Sequence, residues 1–162
     1  IGTRWEAGRT SVAAEHMASS VVRNLLSTAL RPRVAATHGA PILFTTLPGD
    51  LHESCAMLAA VSAAEAGAFA VFVGGNLPVH EIVDAAKALN ACAVALGVGH
   101  AGESSRASLV ELRGALPADL PIWIGGSGAA HLALPLGVAL VPNYDELARK
   151  ALLLGERRSP LT

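Results

Sequence analysis

A doubly wound α/β fold is predicted by three observations on this 162-residue chain. Short, continuous apolar runs alternate five times with helix-length segments, the pattern of a parallel sheet covered on both faces. Glycine, 16 residues in all, collects where those runs end, at the rim where ligands of such sheets approach the backbone. Ahead of the alternation stands a segment of different rhythm, with apolar residues spaced in threes and fours.

That segment comes first in the chain. Between Thr10 and Leu30 the residues Ala14, Met17, Ala18, Val21, Val22, Leu25 and Leu26 recur as on an amphipathic helix. Thr10 or Ser11 suits its N-cap, and Arg31-Pro32 its end, because proline disfavours helix in the residue before it. A piece around Trp5 reads as the end of another helix. One amphipathic helix cannot bury its stripe alone, so partner helices are expected upstream of Ile1. Residues 1–31 are then the C-terminal part of a helical cap, 32–40 a linker, and 41–157 the α/β domain. Strands are expected at 42–46, 70–73, 93–98, 122–124 and 138–141. Helices are expected near 51–66, 79–89, 104–115, 128–134 and 144–154. Five such units give a five-stranded parallel sheet of flavodoxin type, preceded by part of a helical-bundle cap.

Composition narrows the function. With 52% hydrophobic residues the chain can offset its ordering entropy, which excludes intrinsic disorder. A net charge of −1 argues against a grip on nucleic acid by this segment, since phosphates call for a basic face. No apolar run reaches the roughly 18 residues of a membrane span. Cys55 and Cys92, far apart in sequence, exclude a disulfide framework and fit a reducing, cytoplasmic setting.

Candidate chemistry lies in the loops leaving the strands. Asp50-Leu51-His52 follows the first strand; a histidine there can give one ring nitrogen to a metal while the aspartate orients the other. The same residues suit a helix start with Asp50 as N-cap. Cys55 shares a helical face with His52, but no second pair completes a tetrahedral zinc site. Gly125-Gly126-Ser127-Gly128 opens a helix after the fourth strand, where backbone N–H groups can hold a phosphate or an amide-rich tail. It is not the dinucleotide fingerprint, which belongs after the first strand. On the N-terminal helix, Glu15 falls at the margin of the apolar stripe and His16 outside it. His100 alone of the remaining histidines lies on the rim.

The segment ILFTTLPGDLHE resembles the first strand and loop of cobalamin-binding domains, whose signature is Asp- or Glu-x-His-x-x-Gly. The resemblance implies that His52 is the lower axial cobalt ligand, Asp50 its hydrogen-bonding partner, and Leu51 and Glu53 its neighbours at the cofactor. Cys55 replaces the signature glycine. Gly97, followed by Val98, stands where the family ends its third strand in serine or threonine. Gly125 and Gly126, with Ser127, match the glycine pair after the fourth strand. In the family, the helix after the axial histidine covers the slot for the dimethylbenzimidazole tail.

Trp5 with Glu15-His16, spaced W-x9-E-H, is similar to the helical cap of CarH/LitR-type light-dependent regulators of the MerR family. By that resemblance Trp5, Glu15 and His16 meet the upper axial group of adenosylcobalamin; methylcobalamin or hydroxocobalamin are the other forms implied. It also implies a homo-oligomer, with DNA bound only through a domain outside this chain. Where the best-known members carry a light-state histidine ligand after the Trp, this chain has Glu6, and a carboxylate does not readily replace an imidazole there. The function implied is a sensory module without turnover. The alternatives are a corrinoid-carrier subunit of a methyltransferase or mutase, and a corrinoid-free interaction module.

Overall fold

The computed structural model describes residues 11–36 and 39–158. Its order is α1 (Val12–Ala36), β1 (Ile42–Thr46), α2 (Glu53–Glu65), β2 (Ala70–Phe72), α3 (Val79–Ala88), β3 (Ala93–Gly97), α4 (Glu103–Ala115), β4 (Ile122–Gly125), a 3-10 turn (Ala129–His131), β5 (Val138–Leu140) and α5 (Tyr144–Arg158). The strands pair in parallel throughout, in the order β2-β1-β3-β4-β5. This is the expected five-stranded, flavodoxin-like sheet with helices on both faces.

Strand geometry sorts the core into two halves, because successive side chains point to opposite faces. Leu43, Val94, Leu96, Ile122 and Ile124 face α3 and α4, where they meet Ile82, Leu109 and Leu112. Ile42, Phe44, Ala93, Ala95 and Trp123 face the other way and meet Ala60 and Ala63 of α2 and Leu147 and Ala151 of α5. The first face is filled by large aliphatic residues. The second is built largely of alanine, so α2 lies close to the sheet. It is covered on its outer side by α1, whose Leu30 joins the same cluster.

Two elements differ from expectation. The first helix does not stop at Arg31: α1 continues through Pro32 to Ala36, so residues 32–36, expected to open a linker, are helical. Pro32 lacks the N–H that would reach the Thr28 carbonyl, but it is exposed, where water can satisfy the freed group. The other end is as expected, with the Ser11 hydroxyl accepting the Ala14 N–H at 3.2 Å as an N-cap does. The helix expected over 128–134 is only the turn Ala129–His131. So short a stretch does not repay helix nucleation, and Pro135 biases Leu134 away from helix. On α1 the apolar stripe divides: Val22 and Leu26 are partly buried, whereas Met17, Val21 and Leu25 are exposed.

Candidate functional site

In a 2-1-3-4-5 sheet the chain leaves β1 and β3 in opposite directions, and the crevice between their outgoing loops is where ligands bind. The Asp50–His52 turn follows β1, and Gly99 follows β3. They meet. Asp50 is buried although His52 beside it is exposed. One carboxylate oxygen accepts the His52 backbone N–H at 2.9 Å and lies 3.0 Å from Nδ1 of the same residue. The other accepts the Gly99 N–H at 2.5 Å. Asp50 therefore folds the turn before α2 rather than capping the helix; the N-cap position belongs to His52.

Burial by itself would raise the Asp50 carboxyl. The N–H groups of His52 and Gly99, reinforced by the His52 ring, outweigh it and hold the group below the ordinary aspartate value. An ionised carboxylate only accepts, so Nδ1 is the donor in this pair, and Nε2 is the ring nitrogen not bonded to Asp50. The ring lies on Gly99: a Cβ there would stand 2.9 Å from the His52 Cβ, Cγ and Nδ1. Any side chain at that position displaces the imidazole.

The lowered value has a consequence for acid stability. A carboxyl whose folded value lies below its unfolded one adds stability that is fully present above the unfolded value. That stability is lost as pH falls through the folded value. Asp50→Asn is expected to be less stable than the parent at neutral pH, with the gap narrowing in acid. Urea midpoints of both proteins across that range check it.

Beside this turn a cleft of about 390 Å³ opens between α2, the carboxyl ends of β3 and β4, and the start of α5. That volume lies within the range of small-molecule sites. Gly97, Gly125, Gly126 and Ser127 line it, joined by Cys55 and Tyr144. The Asn143 side chain accepts the Glu146 N–H at 2.9 Å and so caps α5 at the cleft edge. Burial, reinforced by neighbouring Cys55, raises the Tyr144 hydroxyl above its ordinary value. Gly126 holds φ +107°, and a Cβ on it would stand 2.5 Å from the Val98 carbonyl oxygen. Only glycine fits this turn.

The other sequence-derived candidates fall in different places. The Val98 side chain is buried in the core, and its carbonyl accepts the Gly128 N–H at 3.0 Å. Leu51 is exposed on the rim. Glu53 is half-buried and pairs with Arg23 of α1 at 2.7 Å, tying the first helix to the residue after His52. On α1, Glu15 accepts the Ser19 hydroxyl at 2.6 Å, while His16 is exposed; neither lines the cleft. Trp5 and Glu6 lie outside the described residues. Among the described residues no three His, Cys, Asp or Glu side chains are grouped to hold a metal. Sequence reading gave no role to Tyr144, Asn143, Thr46 or Asn76, although it set 74–78 and 142–143 among the loops of the ligand rim. An asparagine ahead of an apolar-periodic segment was a signal for the α5 cap; the other three carried none.

The residues fit a corrinoid with a nucleotide tail. The exposed imidazole suits cobalt, and the cleft beside it, walled by glycine, alanine, the rings of Phe44 and Trp123, other apolar residues and a few polar groups, suits a flat base on a phosphate-bearing arm.

No family model matches the chain. Over 137 residues, 83% of the chain, it is 32% identical to the HTH-type transcriptional repressor CarH of Myxococcus xanthus, spanning 46% of that repressor. Among solved structures it is similar to a cobalamin-binding protein from Desulfitobacterium hafniense DCB-2, with TM-score 0.60 and 22% identity over 94% of this chain and 75% of that one. It is also similar to the monomethylamine corrinoid protein of Methanosarcina barkeri, with TM-score 0.66 and 18% identity over 95% and 76%. The fold is thus one shared with corrinoid-binding proteins.

Proposed function

We propose, on the premise that this chain is a homologue of the CarH repressor with the fold of cobalamin-binding proteins, that it is the cobalamin-binding sensory module of a light-responsive transcriptional regulator. The observation that carries the reading is the Asp50–His52 pair at the β1/β3 crevice, beside a cleft shaped for a tail. His52 presents Nε2 as the lower axial ligand, in the base-off/His-on mode, with Asp50 holding Nδ1–H. Gly97, Gly125, Gly126 and Ser127 flank the tail. Adenosylcobalamin, the form favoured here over methyl- and hydroxocobalamin, supplies a cobalt–carbon bond that light breaks.

Glu15 and His16, with Trp5, are assigned to the upper side. The protein's own part of the response is a change in how α1 rests on α2, near the Arg23–Glu53 pair. A ligand shifts such an equilibrium only by contacting the two arrangements unequally. The shift is read out as a change of homo-oligomeric state, and DNA is reached through a domain outside this chain. The module is assigned to residues 41–157 behind a helical cap, works in the cytoplasm and turns nothing over. Among the described residues no helix is long and apolar enough to cross a membrane.

The test is to load the chain with adenosylcobalamin in darkness and then illuminate it. The expected result is a dark spectrum that changes in His52→Ala, and a light-driven change in both spectrum and hydrodynamic size. Failure to bind, or a bound spectrum that His52→Ala leaves untouched, sinks the reading. A loaded protein that passes a methyl group to a partner enzyme would instead favour a corrinoid carrier, whose fold this chain shares.

A further inference from the structure

The geometry points to Thr46 and Asn76 as positioning residues for the axial imidazole, acting from outside the Asp50–His52 turn. The inference rests on the role proposed for His52. Among the described residues, Thr45, Thr46 and Asp50 are the buried polar ones, and all three sit where β1 runs out into its loop. Buried polar groups are costly unless bonded, so the bonds they make are informative.

Thr46 is fully buried. Its hydroxyl donates to the Asp50 carbonyl at 2.6 Å and accepts the Asn76 N–H at 2.7 Å. With its one hydrogen committed to Asp50, the rotor is fixed. Asn76 belongs to the loop after β2 and holds φ +56°, a left-handed conformation that asparagine tolerates better than most side chains. From that conformation its side-chain oxygen accepts the Gly49 N–H at 2.7 Å.

The turn that presents His52 is therefore tied at two backbone points: Gly49 N–H bonds directly to Asn76 in the loop of the neighbouring strand, and Asp50 C=O bonds to Thr46 at the end of β1, which in turn holds the Asn76 N–H. The Asp50 carboxylate, anchored on its other side by Gly99 N–H, then fixes the ring through Nδ1. The order of control runs from Asn76 to Thr46, to Asp50, to His52. Neither Thr46 nor Asn76 lines the cleft, so their effect on a ligand passes through the direction and tautomer of the ring.

Thr46→Val keeps the shape and removes the hydroxyl. Thr46→Ser restores it. Asn76→Gly keeps the left-handed backbone and removes the amide, at an exposed position that a fold tolerates. Nitrogen-15 NMR of the His52 ring in ligand-free protein reads the tautomer; titration with hydroxocobalamin reads the affinity. The parent and Thr46→Ser are expected to hold the Nδ1–H tautomer, whereas Thr46→Val and Asn76→Gly give a mixture and lose about 10-fold in affinity, as removal of a ligand-orienting bond does. A natively folded Thr46→Val or Asn76→Gly with an unchanged tautomer overturns the inference; if Thr46→Val does not fold, Asn76→Gly decides. If the parent takes up no hydroxocobalamin, the proposed function fails, while the ligand-free tautomer still decides the positioning role.

Discussion

His52→Ala is expected to lower cobalamin affinity at least as far as the roughly 10- to 100-fold that loss of a ligand-orienting partner costs, while leaving the thermal midpoint of the ligand-free protein nearly unchanged. The ring is exposed, so little apolar burial is lost. Its polar partner Asp50 keeps the two backbone N–H groups that satisfy it. Asp50→Ala makes the informative contrast. It strips the acceptor from both N–H groups and so costs stability, about 1–3 kcal/mol for buried groups left unpaired, as well as affinity. Absorption titrations paired with melting curves separate the two outcomes. Equal losses of stability in both variants would contradict this division of labour between ring and carboxylate.

Gly126→Ala is expected to be the more damaging change to the scaffold. Forcing a side chain into φ +107° costs about 1–3 kcal/mol from the backbone alone. The new Cβ must also leave the Val98 carbonyl oxygen, 2.5 Å away. That carbonyl holds the Gly128 N–H, so moving the turn loosens a hydrogen bond worth about 1 kcal/mol. Each kcal/mol lowers the midpoint of a domain this size by about 2–4 °C. A melt superimposable on the parent would show that the turn is free to rearrange. Because Gly126 also lines the cleft, cobalamin binding should weaken together with stability, unlike in His52→Ala.

Much of this architecture is legible in the residues. The apolar runs mark all five strands to within a residue or so, because a buried parallel strand needs no polar alternation. Asp50-x-His52 and Gly125-Gly126 are legible because their chemistry is local: an aspartate two residues from a histidine, and a turn open only to glycine. Pro32 misleads, since proline biases the preceding residue without forbidding helix, and an exposed helix can carry the lost bond. Gly125-Gly126-Ser127-Gly128 misleads in the other direction: it opens a turn where a helix was expected. Thr46 and Asn76 are 30 residues apart and meet only because β1 and β2 are neighbours. No spacing rule joins them. The cleft stays hidden for the same reason, since its alanine wall depends on which strand face meets α2.

That alanine wall gives the sheet two unequal faces. On the α3–α4 side, Leu, Ile and Val interlock, and a lost or added methylene there is felt as cavity or strain. On the α2 side, Ala56, Ala60, Ala93 and Ala95 are buried beside Ile42, Phe44 and Trp123, and from the alanines nothing more can be removed without turning to glycine. Variation at those four alanines can only add bulk. Each added methyl narrows the space beneath α2 without touching the packing opposite. At those alanines, divergence in what the domain accommodates therefore runs one way, toward smaller guests.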